Sequence, residues 1–137
     1  MAILLDSSAV VAAADRADLN HEAAMAWFDR ADEPLLLCAL SLGDLDALLQ
    51  RELGVGAALA LVRTITGGAI RLVAPTVADM TRAAELLEAA AEHRPRLTDA
   101  LMVAAAERLG VSRIATFDRR PIAVFRSQQL RAFDLEP

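Results

Sequence analysis

The stretch Ile3-Leu4-Leu5-Asp6-Ser7-Ser8-Ala9 decides how the rest of the chain is read. Ala2 to Leu5 is an apolar run of the length of a buried strand, and Asp6 breaks it. Ser7 and Ser8 are placed to cap a helix running to about Ala14. The same alternation then repeats. A helix is predicted from about Asn20 to Arg30, with Ala23, Ala24, Trp27 and Phe28 on one face. Pro34 ends it, and Leu35 to Ala39 reads as a second strand. Ser41 opens a helix through Leu53. Gly54 and Gly56 punctuate, and Ala57 to Ile65 forms another helix, stopped by Gly67-Gly68. Ile70 to Val73 is a third strand, ended by Pro75. Helices are expected over Val77–Glu92 and Thr98–Leu109, separated by His93-Arg94-Pro95-Arg96, with Gly110 as a C-cap. Arg113 to Phe117 is a fourth strand, Asp118 to Pro121 a turn, and Leu130 to Asp134 a last short strand. Strands alternating with helices argue for an α/β fold with a mostly parallel sheet covered on both faces. Ligands of such folds gather at the carboxyl ends of the strands.

Composition bounds the rest. A chain of 137 residues suits one domain, 1–137, and 55 % apolar residues against 24 % charged ones exclude a disordered chain. No apolar stretch is long enough to span a bilayer, and the acid at position 6 with no basic flank is unlike a signal peptide. The expectation is a soluble, cytoplasmic protein. Cys38 is the single cysteine, so neither an internal disulfide nor a cysteine-based zinc site is available. The formal charge is −5 and every basic residue except the two histidines is arginine. That balance argues against a protein that coats DNA. The absence of lysine removes a phosphate-binding loop of the lysine type, and with it receiver and haloacid-dehalogenase chemistry. His21 and His93 both read as surface residues, which disfavours a metal-free ribonuclease with paired histidines.

The acids after strands carry more. Asp6 follows the first strand, though a carboxylate there can simply serve the helix behind it. Asp44 falls three residues after Ser41, the spacing of a capping box, and the structural reading is the stronger one for it alone. Asp46, two residues on, faces elsewhere and reads as a surface acid or a partner of the site acids. Asp99 opens a helix, where the macrodipole favours negative charge. That helix is nearly all apolar, however, so it is a buried one, and an acid at its mouth points into a crevice. Asp118 follows the fourth strand or merely starts a turn. Taken together, Asp6, Asp44, Asp99 and Asp118 share one rim of a parallel sheet. Carboxylates gathered in one pocket repel by about 4 kcal/mol per pair at 4 Å and an effective dielectric near 20. They therefore take up protons or bind cations. All-oxygen ligands select hard ions, so magnesium, or manganese in its place, is implied.

The order of these acids resembles the PIN domain, nearly end to end, and in particular the VapC-type toxins of toxin–antitoxin pairs. Ile3-Leu4-Leu5-Asp6-Ser7-Ser8-Ala9 looks like the opening motif. Ser41-Leu42-Gly43-Asp44-Leu45-Asp46-Ala47-Leu48-Leu49 is similar to the second, with Asp44 where the family usually has Glu. Thr98-Asp99-Ala100-Leu101 followed by Ala104-Ala105-Ala106 resembles the third, with Met102 where some relatives carry a polar residue. Ala115-Thr116-Phe117-Asp118-Arg119-Arg120 resembles the fourth. The resemblance implies a three-layer α/β/α fold, a homodimer, cleavage of single-stranded or loop RNA (transfer or ribosomal) and an antitoxin that neutralises it, with no DNA binding by the chain alone.

On that reading Asp6, Asp99 and Asp118 hold one or two magnesium ions, and Asp44 is a further ligand or orients water. A metal-activated water attacks phosphorus in line, leaving 5′-phosphate and 3′-hydroxyl ends. Ser8 and Thr116 steady the acids, and Arg119 and Arg120 either offset phosphoryl charge or sit in a solvated turn. Two other readings stand beside it. One is a weakened scaffold that chiefly binds an antitoxin and assembles a repressor, for which the shorter acid at position 44 speaks. The other is a metal-dependent phosphatase.

Overall fold

The computed structural model describes residues 1–125 and 134–137. Its elements are β1 (Ile3–Leu5), α1 (Ser7–Ala14), α2 (His21–Arg30), β2 (Leu35–Cys38), α3 (Ser41–Leu53), α4 (Val55–Thr66), β3 (Ile70–Val73), α5 (Val77–Ala89), α6 (Leu97–Leu109), β4 (Arg113–Ala115), α7 (Arg120–Ala123) and β5 (Asp134–Glu136). The strands form one sheet in the order β3-β2-β1-β4-β5, and every pairing is parallel. The chain builds outward from β1 on one side through β2 and β3, then returns to its other side with β4 and β5. The order therefore reverses between β1 and β4, where open α/β sheets leave a crevice.

Alternation along β1 sets the layers. Leu4 points to one face and packs with Leu36, Ile114 and the apolar sides of α5 and α6. Ile3 and Leu5 point to the other, against Leu37, Ala115, Trp27 of α2 and Leu45 of α3. Helices thus cover both faces, as the strand–helix alternation predicts. In α6 every residue from Ala100 to Ala106 is buried, the outcome expected of a helix apolar all round. Gly110 ends it in the left-handed conformation, at φ 67°. No helix among the described residues is long and apolar enough to cross a membrane.

Several local expectations are corrected. Ser7 and Ser8 do not cap α1; Asp6 occupies the N-cap position and caps with no side-chain bond, because its carboxylate is engaged elsewhere. Ser41 does not cap α3 either. Leu40 is already helical (φ −63°, ψ −24°), so Ser41 lies inside the helix and no box with Asp44 forms. A capping box forms instead at Thr76 and Asp79 on α5. The helix from Val77 stops at Ala89, and Ala91–His93 is a separate tight turn of helix. The fourth strand ends at Ala115, two residues early, and α7 replaces much of the turn before Pro121. The final strand is observed as Asp134–Glu136; residues 130–133 of the predicted one lie outside the described residues.

Ion pairs fasten neighbouring elements to one another. Asp79, only 2 % exposed, accepts from Nε and Nη2 of Arg108 on α6 at 2.9–3.1 Å. Burial alone would raise its pKa, but Arg108 and the Thr76 bonds hold it below the ordinary value of 3.8. Glu136 of β5 accepts from Arg113 of β4 through both oxygens at 2.8 Å and from the Trp27 indole at 3.0 Å. Arg113 also pairs with Glu33. Beside this network, burial foremost and then Asp79 push the Cys38 thiol up to about 11, with Arg108 opposing. Cys38 is a buried core thiol, protonated at neutral pH.

A carboxylate whose folded pKa is depressed stabilises the fold above its unfolded pKa, and that contribution disappears as pH falls through the folded value. Arg108→Leu strands Asp79 without its cation and is expected to cost about 3 kcal/mol at neutral pH. Urea unfolding from pH 7 down to the acid range tests this: the wild type loses stability below the ordinary Asp range, and the variant starts low and loses less.

Candidate active site

Four segments far apart in sequence meet at the carboxyl edge of the sheet. Pairing of Leu5 with Ala115 sets Asp6 beside Thr116, and the Asp6 N–H donates to the Ala115 carbonyl at 2.9 Å. Asp118 follows two residues on. The buried start of α3 brings Asp44 to the same rim, and the N-terminus of the buried α6 brings Asp99. Asp6, Asp44, Asp99 and Asp118 all border one cleft of about 390 Å³.

Asp6 is held from two sides. The Ser8 hydroxyl donates to its Oδ2 at 2.7 Å, and the Thr116 hydroxyl shares its one proton between the same oxygen at 2.8 Å and the Asp118 carbonyl at 2.9 Å. Both donors are themselves anchored. Ser8 Oγ accepts the Phe117 N–H at 2.9 Å, and Thr116 Oγ1 accepts the Asp118 N–H at 3.0 Å. Thr116 is 1 % exposed, so its rotamer is locked by packing as well as by bonds. With both donors on one oxygen, the Asp6 carboxylate is fixed in orientation while Oδ1 accepts no hydrogen bond among the described residues.

Charge is concentrated here. Burial foremost, and then Asp6, push Asp99 above the ordinary Asp range; Arg96 opposes the shift, and Asp118 and Asp44 add to it. That is the response of a carboxylate sharing a partly dry pocket with like charges. Asp44 is exposed and pairs with Arg96 Nη2 at 2.6 Å. Among the described residues no three His, Cys, Asp or Glu side chains are gathered tightly enough to hold an ion unaided. The acids border a shared cleft without forming a closed cage. Their all-oxygen chemistry still fits a hard divalent cation, which keeps several waters and needs only one or two carboxylates.

Other residues singled out by the sequence fall into two groups. Arg120 Nε reaches the Asp118 carboxylate at 3.3 Å, and Arg119 donates to the Pro137 carbonyl at 3.2 Å. Asp46 is not brought to the cleft; it is exposed and accepts from Gln50 one turn later at 2.6 Å. His21 binds the Ala12 carbonyl through Nδ1 at 2.8 Å, and His93 is exposed beside Glu92, both outside the cleft. The cleft is also lined by polar residues that no sequence motif marks, among them Arg96, and Asp18 with Asn20 in the loop between α1 and α2. Asp18 accepts the Asn20 N–H at 2.8 Å, a local turn visible as Asp-Leu-Asn. Arg96, three residues before Asp99, was legible only as a charge at a helix entrance.

The PIN-domain family model matches residues 3–126. Ribonuclease VapC26 of Mycobacterium tuberculosis is 31 % identical over 124 residues, 90 % of this chain and 92 % of its own length. Among solved structures, the Mycobacterium tuberculosis sarcin–ricin-loop-cleaving toxin VapC20 superposes with a TM-score of 0.83 at 23 % identity, covering 98 % of this chain and 99 % of its own. VapBC2 of Rickettsia felis, bound to promoter DNA, shares the fold at a TM-score of 0.67 and 11 % identity, covering 99 % and 98 % of the two chains. The strand-end acids, the parallel sheet and these matches make the chain a member of the PIN-domain family, of the VapC type.

Proposed function

We infer that this chain is a ribonuclease toxin that cuts single-stranded or loop RNA, of transfer or ribosomal type, with magnesium or manganese as cofactor. The observation that carries the reading is the meeting of Asp6, Asp44, Asp99 and Asp118 around one cleft, with Asp6 gripped by Ser8 and Thr116. VapC26, the relative at 31 % identity, is itself a ribonuclease.

Asp6, Asp99 and Asp118 would hold the ion, drawing in around it with water completing its shell. A divalent ion there supplies Lewis acidity toward water and toward the phosphodiester. The chain's own residues do the rest. Ser8 and Thr116 keep the Asp6 carboxylate in one orientation. Asp99, held above the ordinary Asp range by burial and Asp6, gains most from a neutralising cation. Asp44 is engaged by Arg96, so it serves better in orienting water or balancing charge than as a principal ligand. Arg120, 3.3 Å from the Asp118 carboxylate, keeps positive charge at the edge of the cleft.

A VapB-type antitoxin and a second copy of the chain are the proposed partners, in the cytoplasm. What supports a protein partner is α4, which buries none of its residues and leaves Val55, Leu59 and Val62 exposed. Apolar surface of that kind calls for a cover.

Asp6→Asn and Asp99→Asn should each lower the magnesium-dependent cleavage rate by about 100-fold or more, and a chelator should abolish cutting by the wild type. Gel analysis of RNA from a purified-ribosome and transfer-RNA digest checks this; undiminished cutting by either variant removes that residue from the chemistry. Thr116→Val keeps the side-chain shape but takes away one donor from Asp6. It is expected to weaken manganese binding by about 10-fold, read by the paramagnetic signal of free manganese. Unchanged affinity would assign Thr116 to folding alone.

A further inference from the structure

Beside the acidic cleft, and sharing Arg96, Asp99 and Pro121 with it, lies a second groove of about 300 Å³. Its character is the reverse. His93, Arg94, Arg96 and Arg120 line it, and Asp99, at the shared border, is its single acid among the described residues. In a chain whose formal charge is −5, so dense a basic lining is out of proportion. Elsewhere, arginines are held in structural pairs: Arg82 with Glu107, Arg108 with Asp79, Arg113 with Glu136. These are not. Arg94 has no carboxylate partner among the described residues, and Arg120 is 92 % exposed with one long contact to Asp118 at 3.3 Å.

The backbone adds an independent sign. Arg94 is the one non-glycine residue among those described with a positive φ, at φ 49° and ψ 54°. The left-handed conformation costs an arginine of order 1 kcal/mol, and the following Pro95 disfavours helical backbone at that position further. Strain of this kind persists where surrounding structure holds it, and it clusters where ligands are clamped. Here the turn Ala91–His93 and Pro95 bracket Arg94, which lines the groove.

We propose that this groove binds the sugar–phosphate backbone of single-stranded RNA next to the bond being cut, with Arg94 and Arg120 on one or two neighbouring phosphates. The inference rests on the ribonuclease reading above and adds to it a positioning site. Arg96 joins the two halves: paired to Asp44 on the cleft side, it borders the groove on the other. Arg94 and Arg120 act here as positioning residues. They raise RNA affinity and leave the cutting chemistry to the acids.

The test is binding without cutting. A fluorescein-labelled, mixed-sequence single-stranded RNA of about 16 nucleotides is titrated with protein in a chelator and followed by anisotropy across a series of salt concentrations. Each phosphate contact contributes about 0.7 to the slope of log K against log salt, or about 5-fold in affinity near 0.1 M salt. The double variant Arg94→Ala with Arg120→Ala should therefore bind about 25-fold more weakly there and lose about 1.4 from the slope. Arg94→Lys with Arg120→Lys should restore most of both. Arg71→Ala, an exposed charge on β3, controls for net charge. An unchanged slope in the double alanine variant, an equal loss in Arg71→Ala, or no measurable binding by the wild type overturns the groove. Magnesium-dependent cutting by the wild type with an unchanged slope would sink this site and leave the ribonuclease reading standing. A changed slope without any cutting would do the opposite.

Discussion

The contact on which the site depends is the hydrogen bond from the Thr116 hydroxyl to the Asp6 carboxylate, joining residues 110 positions apart. It exists because β1 and β4 pair in parallel with Leu5 opposite Ala115. That register is enforced by burial, since Ile3, Leu4, Leu5, Ile114 and Ala115 are each 1 % exposed or less. A slip by one residue would turn every one of these side chains to the opposite face. It would also carry Asp6 away from Thr116. Packing of the sheet and placement of the first acid are thus one constraint, seen from its apolar and its polar end.

Around that contact the fold holds like charges together. Asp99 is carried in by α6, whose residues Ala100–Ala106 are buried and cannot be moved without opening the core. The cost of crowding acids is met partly by Arg96, which pairs with Asp44 and opposes the shift at Asp99. It is met elsewhere by structural pairs such as Asp79 with Arg108, which lock α5 to α6 and so support the helix that delivers Asp99. The cleft is therefore a strained feature on a well-packed frame, and the adjoining basic groove gives a polyanion a reason to settle there.

Much of this was legible in the chain itself. The apolar run Leu35–Cys38 stood out because a buried parallel strand is apolar on both faces, whereas the edge strand Ile70–Val73 carries the exposed Arg71. Asp6 and Asp118 were legible as acids following strands, and the rim they share follows from parallel topology. Capping chemistry misled. Ser41 to Asp44 and Thr76 to Asp79 have the same spacing, yet only the second forms a box. The difference lies in the residue before the helix: Leu40 is already helical, whereas Thr76 is extended at φ −105° and ψ 168°. Backbone entry angle is a property of the loop, which local pattern does not encode. The Arg96–Asp44 pair spans 52 positions and was invisible for the same reason. So was the burial of Asp79, which reads in sequence as an ordinary acid in a first helical turn.

The proposed ribonuclease chemistry requires the cleft bordered by Asp6, Asp99 and Asp118 to capture a hard divalent ion. Anomalous diffraction from crystals soaked in manganese addresses it directly, because the ion is located without reference to catalysis. The account predicts one or two anomalous peaks in the cleft, within bonding reach of Asp6 and Asp99 oxygens, and their loss in an Asp99→Asn crystal. Manganese found only at surface carboxylates such as Asp46, with the cleft holding water, would contradict it.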